Sequence, residues 1–585
     1  MNMKSISIKI ILIALIFLLV NPNVLIKANN YQPSVKQSAA QLDGSNDILE
    51  ISEPKLVIKK ITGGLGLNIV IKNDGDIDIT DITLEFKVTK GLMKIRQKNQ
   101  YEIPLLKSNE SKKIHIKTSG LCFGLAKKYC IITINVSSPI INSFESKASV
   151  KLCGPLVNIV AVSYDTNKVS EGYTLFTPEM SRKIYLINND GDVIHKWKSK
   201  HVQGLGTYLL ENGDVIRSDA AGFNLFWMVR GETGRVEMYN WHGKQIWDLL
   251  YISSKHCLHN DIEPLPNGNF LLIVWVKKTK EEAIAAGCDP EDPRIKKYGQ
   301  LWTDMIIEVE QDGYRGAKII WKWDVWDHLV QDYDPSKDNY GVIEDHPELI
   351  DINYNAERDV VSDLSITHLN SVDYNKELDQ ILLSSRFLNE IFIIDHSTTI
   401  EEAAGHTGGK YCKGGDILYR WGNPIVYQNG DENDQKLFMQ HDAQWVEKGF
   451  PGEEHITIFN NGVRRPDGNY SSVDEIIPPI DCNGNYTYCP GCAYGPDEPV
   501  WSYTADNPTD IYSNVMSSAQ RLSNGNTLIC SSNQGLFLEI TPDKNVVWEY
   551  KNYVSNPLFT RVFKIQRYPP DYPGLQSLNK NIKLN

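Results

Sequence analysis

From Tyr173 onward the chain repeats one unit, and the repeat restricts the architecture more than any other feature. The first half of the unit is an apolar strand, a tight turn and a second apolar strand: "TYLLENGDVIRS", "DIEPLPNGNFLLIVW", "SVDYNKELDQILLSS", "AQWVEKGFPGEEHITIF" and "AQRLSNGNTLICSS". The second half is a strand pair whose last strand carries tryptophan: "IYLINNDGDVIHKW", "VEMYNWHGKQIW", "IIEVEQDGYRGAKIIWKW", "GGDILYRW", "EPVWSY" and "LFLEITPDKNVVWEY". Four strands per unit, repeated radially, give a β-propeller. Six tryptophan halves face only five inner hairpins, and "RVFKIQRY" near the end of the chain supplies the missing strand. The first and last segments are therefore expected to share one blade, which leaves no open sheet edge at the chain ends. The expectation is an all-β chain with a six-bladed propeller over residues 173–568 and a short tail over 569–585.

Residues 53–153 alternate apolar and polar positions between Gly, Asn and Asp turns, the pattern of a small immunoglobulin-like β-sandwich placed before the propeller. Nothing in that stretch carries catalytic residues, so it reads as a spacer or an assembly surface. Ahead of it, residues 1–28 have lysines, a short apolar run and a small residue at Ala28, the layout of a cleavable signal peptide, and 29–52 read as a polar linker. Export to a periplasm, the cell surface or the medium follows as an expectation, with no membrane span after cleavage. A net charge of −13 with no basic stripe argues against nucleic acid as a partner, and none is expected. Small molecules and proteins, including a second copy in a homodimer, are the compatible partners. In an oxidising compartment the crowded Cys482, Cys489 and Cys492 are expected to contain a disulfide, and Cys122, Cys130 and Cys153 form a second group in which one pair could bridge.

Each inner strand of a propeller begins near the axis. Aligning the units places Leu205, Asn260, His368, His441, Ser517 and Thr560 in one column at the tunnel mouth, with His259 beside it. A hairpin centred on Glu377 sets Arg386 opposite His368. Strand alternation turns Asp261 and Asp442 away from the axis. The long connections 277–300, 324–362 and 422–440 fall on this same face, where loops on a rigid scaffold carry function. Propeller tunnels also fill with polar side chains for purely structural reasons. Three histidines and an arginine on one rim nevertheless favour an anionic ligand. An arginine beside the imidazoles argues against a metal, and no metal or cofactor is expected.

The pieces "LHNDIEPLPNGN", "THLNSVDYN" with the arginine of "LLSSRF", and "QHDAQW" resemble the bacterial aryl-sulfate sulfotransferase family over residues 173–568. The resemblance implies a propeller enzyme that moves a sulfuryl group from an aryl sulfate ester to a phenolic acceptor by a ping-pong route through sulfohistidine. It implies His441 as the nucleophile and His368, His259 and Arg386 as the residues that hold sulfate oxygens and assist the leaving phenol. Relatives commonly carry two histidines where this chain has His259-Asn260, and the repeat register turns Asn260 inward. Asn260, Ser517 and Thr560 are then expected to contact substrate. Two other readings fit the same repeats: a non-catalytic propeller that binds an anion or a protein at its mouth, and a quinone-cofactor dehydrogenase propeller, usually eight-bladed.

Overall fold

The computed structural model describes residues 53–578 except 122–128, 203–204, 222–226, 228–230, 355–363, 553 and 555–559. The signal-peptide and linker segments, Cys122 and the last residues of the tail lie outside the described residues.

Among the described residues, five four-stranded antiparallel sheets and a sixth four-stranded antiparallel run, which forms one end of a larger sheet, make up the blades. Blade two starts at Thr207–Leu209, blade three at His256–Pro264, blade four at Leu369–Asn375, blade five at His441–Trp445 and blade six at Ser518–Arg521. Blade one is made from both ends of the ring: Val562–Tyr568 pairs with Tyr173–Pro178 in the register Tyr173↔Tyr568. This is the clasp expected from the count of half-units.

The recurrent tryptophan has a specific task. In each blade an outer-strand indole N–H crosses the seam to the next blade. Trp197 donates to the carbonyl of Asn240, Trp247 to Gly316, Trp323 to Gly415, Trp421 to Pro496, Trp501 to Pro542, and Trp548 of blade six returns to Asn189 of blade one, over 2.6–3.1 Å. Trp197, Trp247, Trp323 and Trp548 are fully buried. An indole adds on the order of 200 Å² of covered surface while its N–H keeps a partner, so apolar packing and seam register come from one residue.

The inner strands are edge strands whose outward N–H groups would stay unpaired in the tunnel wall. Side chains of the neighbouring blade satisfy them. Ser371 accepts from the amide of Ala443, Asp373 from Trp445, Asp442 from Ala519, Ser518 from Ile565 and Gln520 from Arg567. Polar residues in the inner strands are thus mortar between blades.

The N-terminal strands form a three-stranded sheet, Leu56–Thr62, Leu67–Asn73 and Ser111–Ile116, packed on a second sheet that includes Ile79–Lys90, Cys130–Ser138 and Ile141–Gly154. Leu67, Ile69 and Ile71 alternate inward against Leu84, Phe86, Ile132 and Ile134. The strand Leu156–Ser163, between the two stretches read as domains, pairs with Ile141–Gly154 on one side and with Val546–Lys551 of blade six on the other. The second sheet of the sandwich therefore continues into the propeller and covers the outer edge of blade six. Among the described residues no helix is long and apolar enough to cross a membrane.

Lys564, on the clasp strand, is buried in the channel. Its ammonium lies 2.8 Å from Asp442, 3.2 Å from Asp261 and 2.8 Å from the Tyr208 hydroxyl. Burial alone would push this lysine down, but the two carboxylates outweigh it and hold the group well above the ordinary lysine value. Asp261 and Asp442 thus point toward the axis, contrary to the alternation argument. Lys564→Met leaves two carboxylates in the channel without their cation and is expected to cost about 3–5 kcal/mol, read as a lowered urea midpoint. Adding Asp261→Asn and Asp442→Asn should recover most of that loss; a single variant as stable as the parent would refute the lock.

Candidate active site

The inner strands of blades three, four and five do not begin as regular strands. Pairing skips from Leu258↔Val274 to Ile262↔Leu272, from Leu369↔Ser385 to Ser371↔Ser384, and from His441↔Phe459 to Gln444↔Thr457. At the same places Asn260 (φ +51°), His368 (φ +48°) and Asp442 (φ +54°) adopt left-handed backbone, as does Ser517 (φ +86°) ahead of blade six. Such residues cost energy outside glycine and collect where a bulge must re-aim a side chain. The re-aiming explains both aspartates: Asp261 follows the left-handed Asn260 and Asp442 is itself left-handed, so regular alternation fails at each.

His441 is buried. Its Nδ1 lies 2.7 Å from Oδ1 of Asn461 and 3.2 Å from the Met439 carbonyl. The amide nitrogen of Asn461 donates to the carbonyls of Ser513 and Met516, at 2.7 and 3.0 Å, so its oxygen must be the atom that faces the ring. Two acceptors at Nδ1 place the ring proton there and leave the lone pair on Nε2. Burial first, then the charges of Arg386 and His368, push this imidazole down to about 3, against a partial lift from the Asn461 hydrogen bond. His441 is therefore neutral at physiological pH.

Arg386 and His368 are cross-strand neighbours, with the Arg386 amide donating to the His368 carbonyl. A guanidinium N–H of Arg386 reaches the Asn514 carbonyl at 3.4 Å. His368 sits with its ring centroid 4.7 Å from Phe387 and 6.2 Å from His259. His259 is stacked at 4.0 Å on Trp275, and its Nε2 lies 2.7 Å from Oδ1 of Asp304. The other oxygen of Asp304 accepts from the Thr367 hydroxyl and the Leu369 amide, which ties the His259 support to the strand that carries His368. The structure thus gathers the buried imidazoles of His259, His368 and His441 beside the half-buried guanidinium of Arg386.

Asn260 is turned to its neighbours: its amide nitrogen lies 3.2 Å from Nδ1 of His259 and donates to the Leu369 carbonyl at 3.0 Å. Ser517 accepts from the Ser532 amide through its hydroxyl, and the Thr560 carbonyl takes the Asn552 amide. Leu205 is a buried apolar residue of the column. Sequence reasoning overlooked Asp304 and Asn461. Asp304 is an acid inside the apolar run "LWTDMIIEV", a usable signal; Asn461 sits in "FNNG" and reads only as a turn.

The arylsulfotransferase (ASST) family model matches residues 159–568. The chain belongs to the arylsulfotransferase family. It is accordingly an aryl sulfotransferase, and the matched stretch runs from within the strand that joins sandwich to blade six to the last residue of the clasp. No curated protein matches this arylsulfotransferase in sequence. Among solved structures it is similar to a protein of unknown function from Bacteroides caccae, at 12% identity over 68% of this chain and 99% of that one, with a TM-score of 0.36. Virginiamycin B lyase from Staphylococcus aureus matches at 10% identity over 66% of this chain and 86% of its own, with a TM-score of 0.31.

The depressed His441 has a consequence for stability. An unfolded imidazole binds its proton near pH 6.5, whereas the folded one waits until about 3. Its contribution is complete above the unfolded value and is lost as pH falls toward the folded one. The fall in melting temperature from pH 7 to pH 4 should therefore be shallower in His441→Asn than in the parent; equal slopes would refute the buried neutral ring.

Proposed function

We propose that this aryl sulfotransferase works by two half-reactions with His441 as the sulfuryl carrier. The observation that carries the reading is the Asn461 hydrogen bond to Nδ1, which leaves the Nε2 lone pair of a neutral, buried ring as the nucleophile. In the first half-reaction Nε2 attacks the sulfur of an aryl sulfate. The N–S bond forms as the S–O bond to the aryl group breaks, and the departing phenolate takes a proton from His368. Arg386 faces the sulfuryl oxygens with a permanent charge and planar donors. His259, braced by Asp304 and Trp275, stands behind His368, and Asn260 acts through His259. Ser517 and Thr560 complete the substrate rim. In the second half-reaction the oxygen of an acceptor phenol attacks the same sulfur and its proton passes to His368. The N–S bond breaks and the neutral ring returns.

The protein acts after export, with residues 1–28 as the signal. The sulfurs of Cys489 and Cys492 are 2.9 Å apart as exposed thiols, so a disulfide in that loop requires only a small movement. Peptide mass mapping of the secreted protein without reductant should find Cys489 bonded to Cys492; three free thiols at 482, 489 and 492 would refute it.

Incubation with a chromogenic aryl sulfate and no acceptor should place one acid-labile sulfuryl group on His441, discharged on addition of a phenol. His441→Ala should abolish both half-reactions, and Arg386→Ala should slow sulfurylation by ~10²- to 10³-fold, the cost of losing one preorganised oxyanion donor. Full turnover by His441→Ala would overturn the assignment.

A further inference from the structure

Away from the tunnel, the seam between blades three and four carries a trio of side chains with no part in the chemistry above. His328 follows the outer strand of blade three, whereas His406 and Asp416 belong to the long connection between Glu390–Asp395 and Tyr419–Trp421 of blade four. One donor atom from each of the three residues lies within 4.8 Å of the others. Nδ1 of His328 is 2.9 Å, and Nδ1 of His406 2.7 Å, from the same oxygen, Oδ1 of Asp416.

The position of His328 makes this more than a hydrogen-bonded cluster. Its side chain is fully buried and stacked on Trp323, with ring planes 9° apart. Its Nε2 faces the carbonyl of Ala403 at 2.9 Å, so Nε2 carries a proton and donates it. The neutral ring then turns a lone pair at Nδ1 toward a carboxylate oxygen, acceptor against acceptor. Two things relieve that opposition: a second ring proton, or a cation between Nδ1 and the carboxylate. A second proton would account for His328 alone. Nδ1 of a second imidazole converges on the same oxygen, so three potential ligand atoms meet at one point.

We infer that His328, His406 and Asp416 form a divalent metal site, for which zinc is the ion best matched by two imidazole nitrogens and one carboxylate oxygen. The Nε2–H of His328 bonded to a backbone carbonyl is the usual support of a metal-bound imidazole, since it fixes which ring nitrogen is left to coordinate. Ligands at about 2.0–2.1 Å around a tetrahedral ion stand about 3.3 Å apart, wider than the present contacts. His406, 59% exposed on its loop, has room to withdraw, and the His328–Asp416 contact of 2.9 Å must open by about 0.4 Å to reach that spacing. A fourth position remains for water. Coordination forms two N–Zn bonds and one O–Zn bond, and any Nδ1 protons pass to solvent. The ion would tie blade three to the blade-four connection at the seam that Trp323 already bridges through Gly415. Among the described residues, the other trio of this kind, His201, Asp219 and Glu237, is closed to a cation because Arg217 holds Asp219 and Gln245 donates to Glu237.

The test uses the full chain, stripped with chelator and with its thiols alkylated, so that the cysteines of the 482–492 loop take no part. Titration with Zn²⁺ should show one bound equivalent and a raised melting temperature, and Co²⁺ in its place should give the visible absorption of a four-coordinate N/O site. His406→Ala, an exposed substitution with little reach into the fold, should weaken zinc at least about tenfold and remove the cobalt spectrum. Uptake that is absent in the parent protein, or unchanged in His406→Ala, overturns the site. Neither result bears on the tunnel chemistry, which is read separately by sulfuryl transfer.

Discussion

One indole N–H per blade, handed to the next blade's backbone, is the interaction on which the rest of the ring depends. A propeller has no single core; it has six seams, and each must be held in register for the inner strands to meet around an axis. The tryptophan does this at large radius, where a small angular error would move a blade furthest. The inner side chains that accept neighbouring backbone N–H groups do it at small radius. The last donor, Trp548 to Asn189, joins the same ends that the clasp strand joins, so closure is secured at the rim and at the axis alike.

The site draws on that closure. Asn461 orients His441, and its own amide is oriented by two carbonyls from the approach to blade six, Ser513 and Met516. Asp304 braces His259 from blade three while binding the start of blade four's inner strand. The His441 and His259 rings are each aimed by a residue from another strand. Left-handed backbone at Asn260, His368 and Asp442 is tolerable because other strands hold each residue: Asn260 donates to the Leu369 carbonyl, the His368 carbonyl takes the Arg386 amide, and Asp442 takes the Ala519 amide and pairs with Lys564.

The ring itself was legible in the repeats, because alternation and the tryptophan position are properties of a single strand pair. The column of inner-strand starts brought out His368 and His441, and hairpin arithmetic set Arg386 beside His368. Side-chain direction failed where regular pairing stopped: Asp261 and Asp442 turn inward because a left-handed residue interrupts the alternation that the argument assumed. Asn461 was invisible, and Asp304 marked only by its apolar surroundings, for a different reason. Their meaning lies in what they touch, and those partners are tens of residues away along the chain.

The clasp strand Val562–Tyr568 is also the last part of the ring to be synthesised. A chain made from its N-terminus can stack five blades and most of the sixth sheet in succession, each supported on one side only, while Asp261 and Asp442 wait for the lysine that neutralises their surroundings. The ring has no closed intermediate of smaller size. Chain order is thus written into the topology: the tunnel, and with it the corner that holds His441, becomes whole only once the clasp is present, so a chain ended before Val562 is an open arc with a charged inner edge rather than a smaller ring.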